Sequence, residues 1–250
     1  MITSPSNPRI RALAALHKRS EREATGTFLI EGRREIERAI ARNFELVTVV
    51  RREGARALDL EIDELEVGPA AFDRIAYGRD SLVAVAQTPS FDLDRLGIPE
   101  LLLIAAEIEK PGNLGAMLRT CDAVGAAMLL ADPVTDITNP NTVRASTGAF
   151  FTVPIAVATS EAALSWIDTS GFRLVASMVG GGKAPWEVDL AARVAIVIGS
   201  EDRGLSRQWL DAAKDRVTLP QTGEVDSLNA AVTAAVLLYE AVRQKSAGSN

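Results

Sequence analysis

From Leu101 onward, short runs that are apolar at almost every position alternate with helix-forming stretches. This alternation constrains the fold more than any other feature of the 250-residue chain. Residues 101–105, 127–131, 173–177 and 194–198 read as strands, with a shorter one at 216–219. Between and after them, residues 114–124, 141–146, 162–168, 206–213 and 230–245 read as helices. A strand apolar along its whole length must be covered on both faces, which an antiparallel hairpin stack with one wet face does not do. The pattern therefore predicts an α/β domain with a mainly parallel sheet and helices on both sides.

The first part of the chain is organised differently. Ile10, Leu13 and Leu16 recur at helical spacing among basic residues and predict a helix over residues 5–24. Residues 28–30 read as a strand, 33–42 as a helix and 46–50 as a second strand. The acidic stretch 59–66 suggests a surface helix, Val67-Gly68-Pro69 opens a turn and another helix, and 81–87 alternates like a strand. Pro89 and Pro99 bracket an acidic segment that reads as a linker. The expected organisation is a smaller N-terminal α/β domain over residues 1–92 and a larger domain over 98–250, with residues 246–250 frayed.

Composition removes several chemistries. Cys121 and His17 are the only cysteine and histidine, so neither an internal disulfide nor a Cys/His zinc site is available, and imidazole catalysis would rest on His17 alone. Residues 1–11 carry no signal-like apolar core. The apolar runs are far shorter than the roughly 20 residues that span a membrane. A cytoplasmic protein is expected. The net charge of −6 is unevenly spread: residues 1–56 hold 12 Lys and Arg against 7 Asp and Glu, so the remainder is strongly acidic. A basic N-terminal region suits phosphate contacts, although arginines solvating helix faces would give the same count.

Three loops follow strands of the larger domain, where open α/β sheets bind ligands. The first, Pro111-Gly112-Asn113-Leu114-Gly115, opens the helix that carries Arg119 and places Asn113 near its N-cap. The second is Gly199-Ser200-Glu201-Asp202-Arg203-Gly204, leading to a helix that Ser206 would cap. The third runs from Leu219-Pro220 to Ser227-Leu228-Asn229, directly before the last helix. There, Leu219 and Leu228 could sandwich a flat ring while Ser227 and Asn229 supply polar contacts, or either polar residue could be a plain helix cap. No Gly-x-Gly-x-x-Gly follows a strand. Gly180-Gly181-Gly182-Lys183-Ala184 lacks both the upstream glycine and the Ser/Thr of a P-loop, and reads as a flexible turn.

Taken together, these segments resemble the SpoU (TrmH-type) RNA 2′-O-methyltransferases of the SPOUT superfamily. The resemblance is carried by residues 111–120 (PGNLGAMLRT), 122–126, 144–149 (RASTGA), 196–206 (IVIGSEDRGLS), Leu219-Pro220 and Ser227-Leu228-Asn229. Asn7-Pro8 and Phe28-Leu29-Ile30-Glu31-Gly32 resemble the accessory substrate-binding domain of that family. Lys110 and Gln221-Thr222 depart from its pattern, on positions not expected to be catalytic.

The resemblance implies what spacing alone does not. It implies a deep trefoil knot in the C-terminal domain, S-adenosyl-L-methionine bound there, and a homodimer in which an arginine of one subunit works near the cofactor of the other. Ser177, Gly199, Leu219 and Leu228 would hold the cofactor, and Arg119, Asn113, Glu201, Ser227 and Asn229 would serve the reaction. The substrate would be a ribose 2′-hydroxyl of structured RNA, ribosomal RNA before tRNA, with neither metal nor membrane involved. Arg119 would act on the hydroxyl proton or orient and neutralise phosphate; a guanidinium pKa above about 12 leaves both roles open. An RNA-binding module without catalysis and a small-molecule α/β enzyme are the competing readings.

Overall fold

A computed structural model describes residues 1–58, 62–78, 80–224 and 227–248. The chain forms two compact units: Met1–Ser90 together with Asp136–Phe151, and Phe91–Thr135 together with Thr152–Asn250. The first unit thus takes in a segment from the middle of the sequence.

In the first unit, α1 (Pro8–Ala15), α2 (Arg19–Thr25), β1 (Thr27–Glu31), α3 (Arg33–Ala41), β2 (Leu46–Arg52), β3 (Glu64–Val67), α4 (Pro69–Phe72) and β4 (Leu82–Gln87) come in that order. The sheet order is β1-β4-β2-β3, antiparallel except for the β2–β3 pair. Ile10, Leu13 and Leu16 pack with Phe72, Ile75, Val50 and Val83 in one apolar cluster. Phe28 meets Phe150 of the later segment at a ring-centroid distance of 5.4 Å.

Two expectations change here. The helix expected over 5–24 is two helices. The carbonyls of Leu16 and His17 accept hydrogen bonds from Arg22 Nη1 at 2.8 and 3.0 Å, and so leave the helical ladder. Of the acidic stretch 59–66, residues 59–61 lie outside the described residues and Glu64–Val67 is a strand, not a helix. The pairing explains it: Glu64 and Glu66 both reach Arg51, while Leu65 and Val67 turn to the apolar cluster, a period of two.

The second unit holds β5 (Leu101–Ala106), α5 (Pro111–Val124), β6 (Ala127–Ala131), β7 (Ile155–Ala158), α7 (Ser160–Thr169), β8 (Arg173–Ser177), β9 (Val194–Ile198), α8 (Arg207–Ala212), β10 (Asp215–Val217) and α9 (Ala230–Ala247); α6 (Pro140–Ala145) belongs to the first unit. Its six strands run in the order β10-β8-β9-β5-β6-β7, every pair parallel. The expected parallel α/β sheet is present, with one edge strand, β7, that the sequence pattern did not reveal. Burial of β5, β6 and β9 at every position explains their unbroken apolar runs. Ser246 and Ala247, expected to fray, lie within α9, and residues 249–250 lie outside the described residues.

Strand order brings the ends of β8, β9 and β10 side by side. The chain enters at the centre with β5, builds one edge through β6 and β7, then crosses to build the other. The loops after β8, β9 and β10 therefore gather at one end of the sheet, and α9 packs across α5 beside them.

Candidate active site

A cavity of about 370 Å³ opens at the carboxyl ends of β8, β9 and β10. Ser177 ends β8, Gly199 follows β9, and Leu219 stands two residues past β10. All three line the cavity with Glu201, Ser227 and Leu228. Leu219 and Leu228 give it apolar wall, and Leu228 remains 37% exposed. Hydroxyls of Ser177, Ser200, Ser227 and Thr233 supply polar edges.

Gly199 serves its own chain before any ligand. A Cβ there would stand 2.3 Å from the Gly204 carbonyl carbon and 2.5 Å from the Leu205 nitrogen. The loop after β9 folds back on itself, with Ser200 bridging Gly204, whose φ of +66° lies in the left-handed region. The close approach that Gly199 permits is of backbone to backbone.

Beside the cavity, one carboxylate ties together three segments far apart in sequence. Glu201 Oε1 accepts from Asn113 Nδ2 at 2.9 Å and from Asn229 Nδ2 at 2.8 Å, and Lys110 Nζ pairs with Oε2. Asn229 Nδ2 also donates to Asn113 Oδ1 at 3.0 Å. Meanwhile Asn229 Oδ1 accepts the amides of Ala231 and Val232, at 3.0 and 3.3 Å, which makes Asn229 the N-cap of α9. The Lys110 ammonium first, and the Asn113 amide next, hold the Glu201 carboxyl below its ordinary pKa. The same contact raises the Lys110 pKa.

Asn113 stands near the N-cap of α5 as expected, in the first turn of the helix, and Lys110 holds the cap position itself. Several expected details differ. Lys110, set aside as a departure from the pattern, touches the expected catalytic residue Glu201. Ser206 occupies the N-cap position of α8 without a side-chain cap, its buried Oγ unpartnered among the described residues. Ser227 leaves the capping of α9 to Asn229 and stays exposed. The 180–182 turn is tightly placed: Gly182 N donates to Thr218 Oγ1 at 3.0 Å, and a Cβ on Gly182 would stand 2.7 Å from that oxygen.

Arg119 does not join the cluster. It is exposed on α5, does not line the cavity, and has no hydrogen bond or ion pair among the described residues. Six residues of helix rotate it by roughly 240° from Asn113, so the two leave α5 on different sides. Glu201 consequently braces Asn113 and Asn229, not Arg119. Arg203, on the loop after β9, pairs with Glu109 at 3.3 Å and Glu107 at 3.8 Å, contacts that the sequence does not announce. Among the described residues no cluster of metal-ligating side chains occurs, and no helix is long and apolar enough to cross a membrane.

Residues 100–239 match the model of the SpoU rRNA Methylase family. The chain belongs to that family. Residues 7–82 match the MRM3-like substrate binding domain. A 23S rRNA (uridine(2479)-2′-O)-methyltransferase of Streptomyces viridochromogenes is 31% identical, over 94% of this chain and 89% of the relative. A 23S rRNA (guanosine(2553)-2′-O)-methyltransferase of Bacillus subtilis is 27% identical over 95% and 97%. Among solved structures, an RNA 2′-O ribose methyltransferase at 40% identity superposes with a TM-score of 0.86 over 98% of each chain. The SpoU methyltransferase AviRb of Streptomyces viridochromogenes, in complex with AdoMet, gives 0.89 at 27% identity, covering 96% of this SpoU chain and 98% of that one.

Proposed function

We propose that this SpoU family chain transfers a methyl group from S-adenosyl-L-methionine to a ribose 2′-hydroxyl of ribosomal RNA, in the cytoplasm and as a homodimer. The observation that carries this reading is the cavity at the ends of β8, β9 and β10, joined through Glu201 to Asn113 and Asn229. Its size lies in the range of small-molecule sites, and it offers the mixture an adenosine with a charged methionine tail requires: leucine walls and hydroxyl edges. The residues present fit the cofactor. Bound there, the cofactor supplies an activated methyl on a sulfonium.

The chain's own part is alignment. Leu219 and Leu228 would clamp the flat base, and Ser177 and the backbone after Gly199 would hold the remaining polar groups. Asn113, Glu201, Ser227 and Asn229 would order the edge where the ribose enters. Orientation of two reactants is worth on the order of 7–11 kcal/mol of barrier. Arg119 stands away from this edge in its own subunit, which suits a residue that serves the site of a second copy. An apolar exposed surface on and beside α9 supports pairing: Trp186 is 62% exposed, Tyr239 54% and Val236 45%. In this reading the C-terminal segment is knotted, with Gln244 of α9 anchored to the carbonyls of Pro185 and Val188. Residues 1–92, joined by 136–151 of the same unit, form the RNA-holding domain, and the rest of 98–250 the methyltransferase domain.

The test is a map of ribose 2′-O-methylation in ribosomal RNA from a strain lacking the gene, against its parent. One modified nucleotide should disappear. It should return with the native gene and not with Arg119→Ala, whose protein should still give heat on titration with S-adenosyl-L-methionine. Identical maps in the two strains would remove the ribosomal assignment, and full rescue by Arg119→Ala would remove Arg119 from the reaction.

A further inference from the structure

Much of the positive charge of the N-terminal stretch is paired with carboxylates of the same unit. Arg9, Arg19, Arg22, Arg33, Arg34, Arg51 and Arg52 each pair with an acidic side chain. Arg11, Lys18 and Arg74 have no ion pair among the described residues, and they line one groove of about 480 Å³ beside α1. Arg38, Arg42 and Arg56 also lack an ion pair among the described residues, but only Arg11, Lys18 and Arg74 share this groove.

Next to that groove, the turns at residues 16–18 and 74–77 build an exposed aromatic surface. His17 Nε2 lies 2.7 Å from the Ile75 carbonyl oxygen, which locks the turns together. The His17 ring backs Tyr77 at a centroid distance of 4.0 Å, and the Arg144 guanidinium stands 5.9 Å from the Tyr77 ring centre. Tyr77 is nonetheless 54% exposed. A large aromatic ring that keeps about half its surface exposed beside an imidazole and a guanidinium offers area on which a flat group can lie.

The surface is firmly held. The Glu31 carboxylate accepts the amides of both Tyr77 and Gly78, the first at 3.1 Å. A Cβ at position 78 would stand 2.8 Å from Glu31 Oε1, so Gly78 leaves room for that bond. Arg22, 3% exposed, fixes the Leu16 and His17 carbonyls and pairs with Asp136 at 2.5 Å, within the segment that delivers Arg144. Glu31 belongs to the Phe28–Gly32 stretch singled out in the sequence, for which the cavity chemistry offers no role.

We infer that Tyr77, with Arg144 beside it, is a stacking platform for an unpaired nucleobase, and that the Arg11, Lys18 and Arg74 groove takes the phosphates flanking it. The inference rests on the RNA methyltransferase reading and narrows its substrate to RNA with splayed, single-stranded nucleotides at this face. Paired RNA hides its base faces inside the stack, whereas loop bases are free to lie on an aromatic ring or a guanidinium plane. Phosphates meet the remaining positive charge, with no carboxylate to displace.

The experiment uses the full chain and two labelled probes, a 15-nucleotide oligo(A) RNA and a 15-base-pair RNA duplex, followed by fluorescence anisotropy. Tyr77→Ala and Tyr77→Leu should each weaken oligo(A) binding about tenfold, while Tyr77→Phe stays within about twofold of the native chain. Leucine fills the space over His17 without a π-face, so agreement between the alanine and leucine variants separates stacking from misfolding. Arg74→Ala should weaken the same probe and reduce the salt slope by about 0.7. Duplex binding should not respond to Tyr77→Ala. Native-like oligo(A) binding by Tyr77→Ala, or a native chain that prefers the duplex, would overturn the platform. Stacking on Tyr77 without any S-adenosyl-L-methionine binding would instead sink the methyltransferase reading and leave the platform standing.

Discussion

Asn229 Nδ2 donates to Glu201 Oε1 at 2.8 Å while Asn229 Oδ1 caps α9, so one amide both starts the last helix and closes the cavity edge. The two ends of the amide do separate work because only the NH2 group can donate and only the carbonyl oxygen can accept. Through Glu201, the start of α9 is joined to Asn113 of α5 and to the loop after β9.

Serine at 229 separates these jobs. Ser caps a helix about as well as Asn, but its one O–H sits on the capping oxygen itself, on a shorter side chain, and does not reach Glu201 and Asn113 as the Asn229 amide nitrogen does. Asn229→Ser should keep the melting temperature near native and lose most methyl transfer. Asn229→Ala should lose the same activity and about 1 kcal/mol of stability as well. Native turnover by the serine variant would show that the Glu201 bond has no part in the site.

Gly199→Ala tests the folded-back loop. Its new methyl would sit well inside the Gly204–Leu205 peptide, which is backbone and has no side chain to swing aside. The loop must open, and with it the cavity wall formed by Ser200 to Leu205. The expected result is a loss of cofactor heat in calorimetry out of proportion to any fall in melting temperature. Gly223→Ala, with nothing within 4 Å of the added carbon, is the matched control. Equal cofactor affinity in the two variants would contradict this account.

The parallel sheet was legible because β5, β6 and β9 are apolar throughout, a pattern that only two-sided burial explains. β7 was missed: four residues at an edge, half of them partly exposed, leave little periodicity to read. The site residues were legible as three loops, but their joining was not. Asn113, Glu201 and Asn229 meet across separations of 28 to 116 residues, which no local pattern encodes. Lys110 illustrates the limit, since nothing about a lysine before a proline announces a partner 91 positions away. The assignment of Asp136–Phe151 to the first unit has the same cause: Arg22 and Asp136 find each other only in space.

Stability should fall on mild acidification because of the single histidine. Burial holds the His17 imidazole below its ordinary pKa, outweighing the Ile75 carbonyl and Glu31, which pull it up, and aided by Arg22. Its Nδ1 is buried without a partner among the described residues. The unfolded chain takes up its proton near pH 6.5 and the folded chain only at lower pH. The contribution is thus complete above about pH 6.5 and is lost as the pH drops below it. Melting temperatures between pH 7.5 and 5.5 should show this slope in the native chain and lose it in His17→Gln. An unchanged slope in that variant would assign the effect to other groups.

Cys121 is buried on α5, and burial first, then the neighbouring Asp122 charge, pushes its thiol far above the ordinary range. The thiolate is the reactive form, so the folded chain should resist iodoacetamide at pH 8 and react in urea. Prompt labelling without denaturant would mean that α5 opens readily.

The Arg22–Asp136 pair offers the largest expected effect on stability. Arg22 is 3% exposed and the Asp136 side chain 19%, so removing the guanidinium strands a carboxylate with little water to receive it. Arg22→Met should cost about 3–5 kcal/mol, read by urea denaturation. Adding Asp136→Asn removes the stranded charge and should recover much of that loss. Recovery cannot be complete, because Arg22 also satisfies the Leu16 and His17 carbonyls, and neither methionine nor the new amide replaces those bonds. A residual deficit of about 1–3 kcal/mol follows from leaving buried acceptors unmet. Full recovery in the double variant would mean that the two carbonyls find water, and that the break between α1 and α2 does not depend on Arg22.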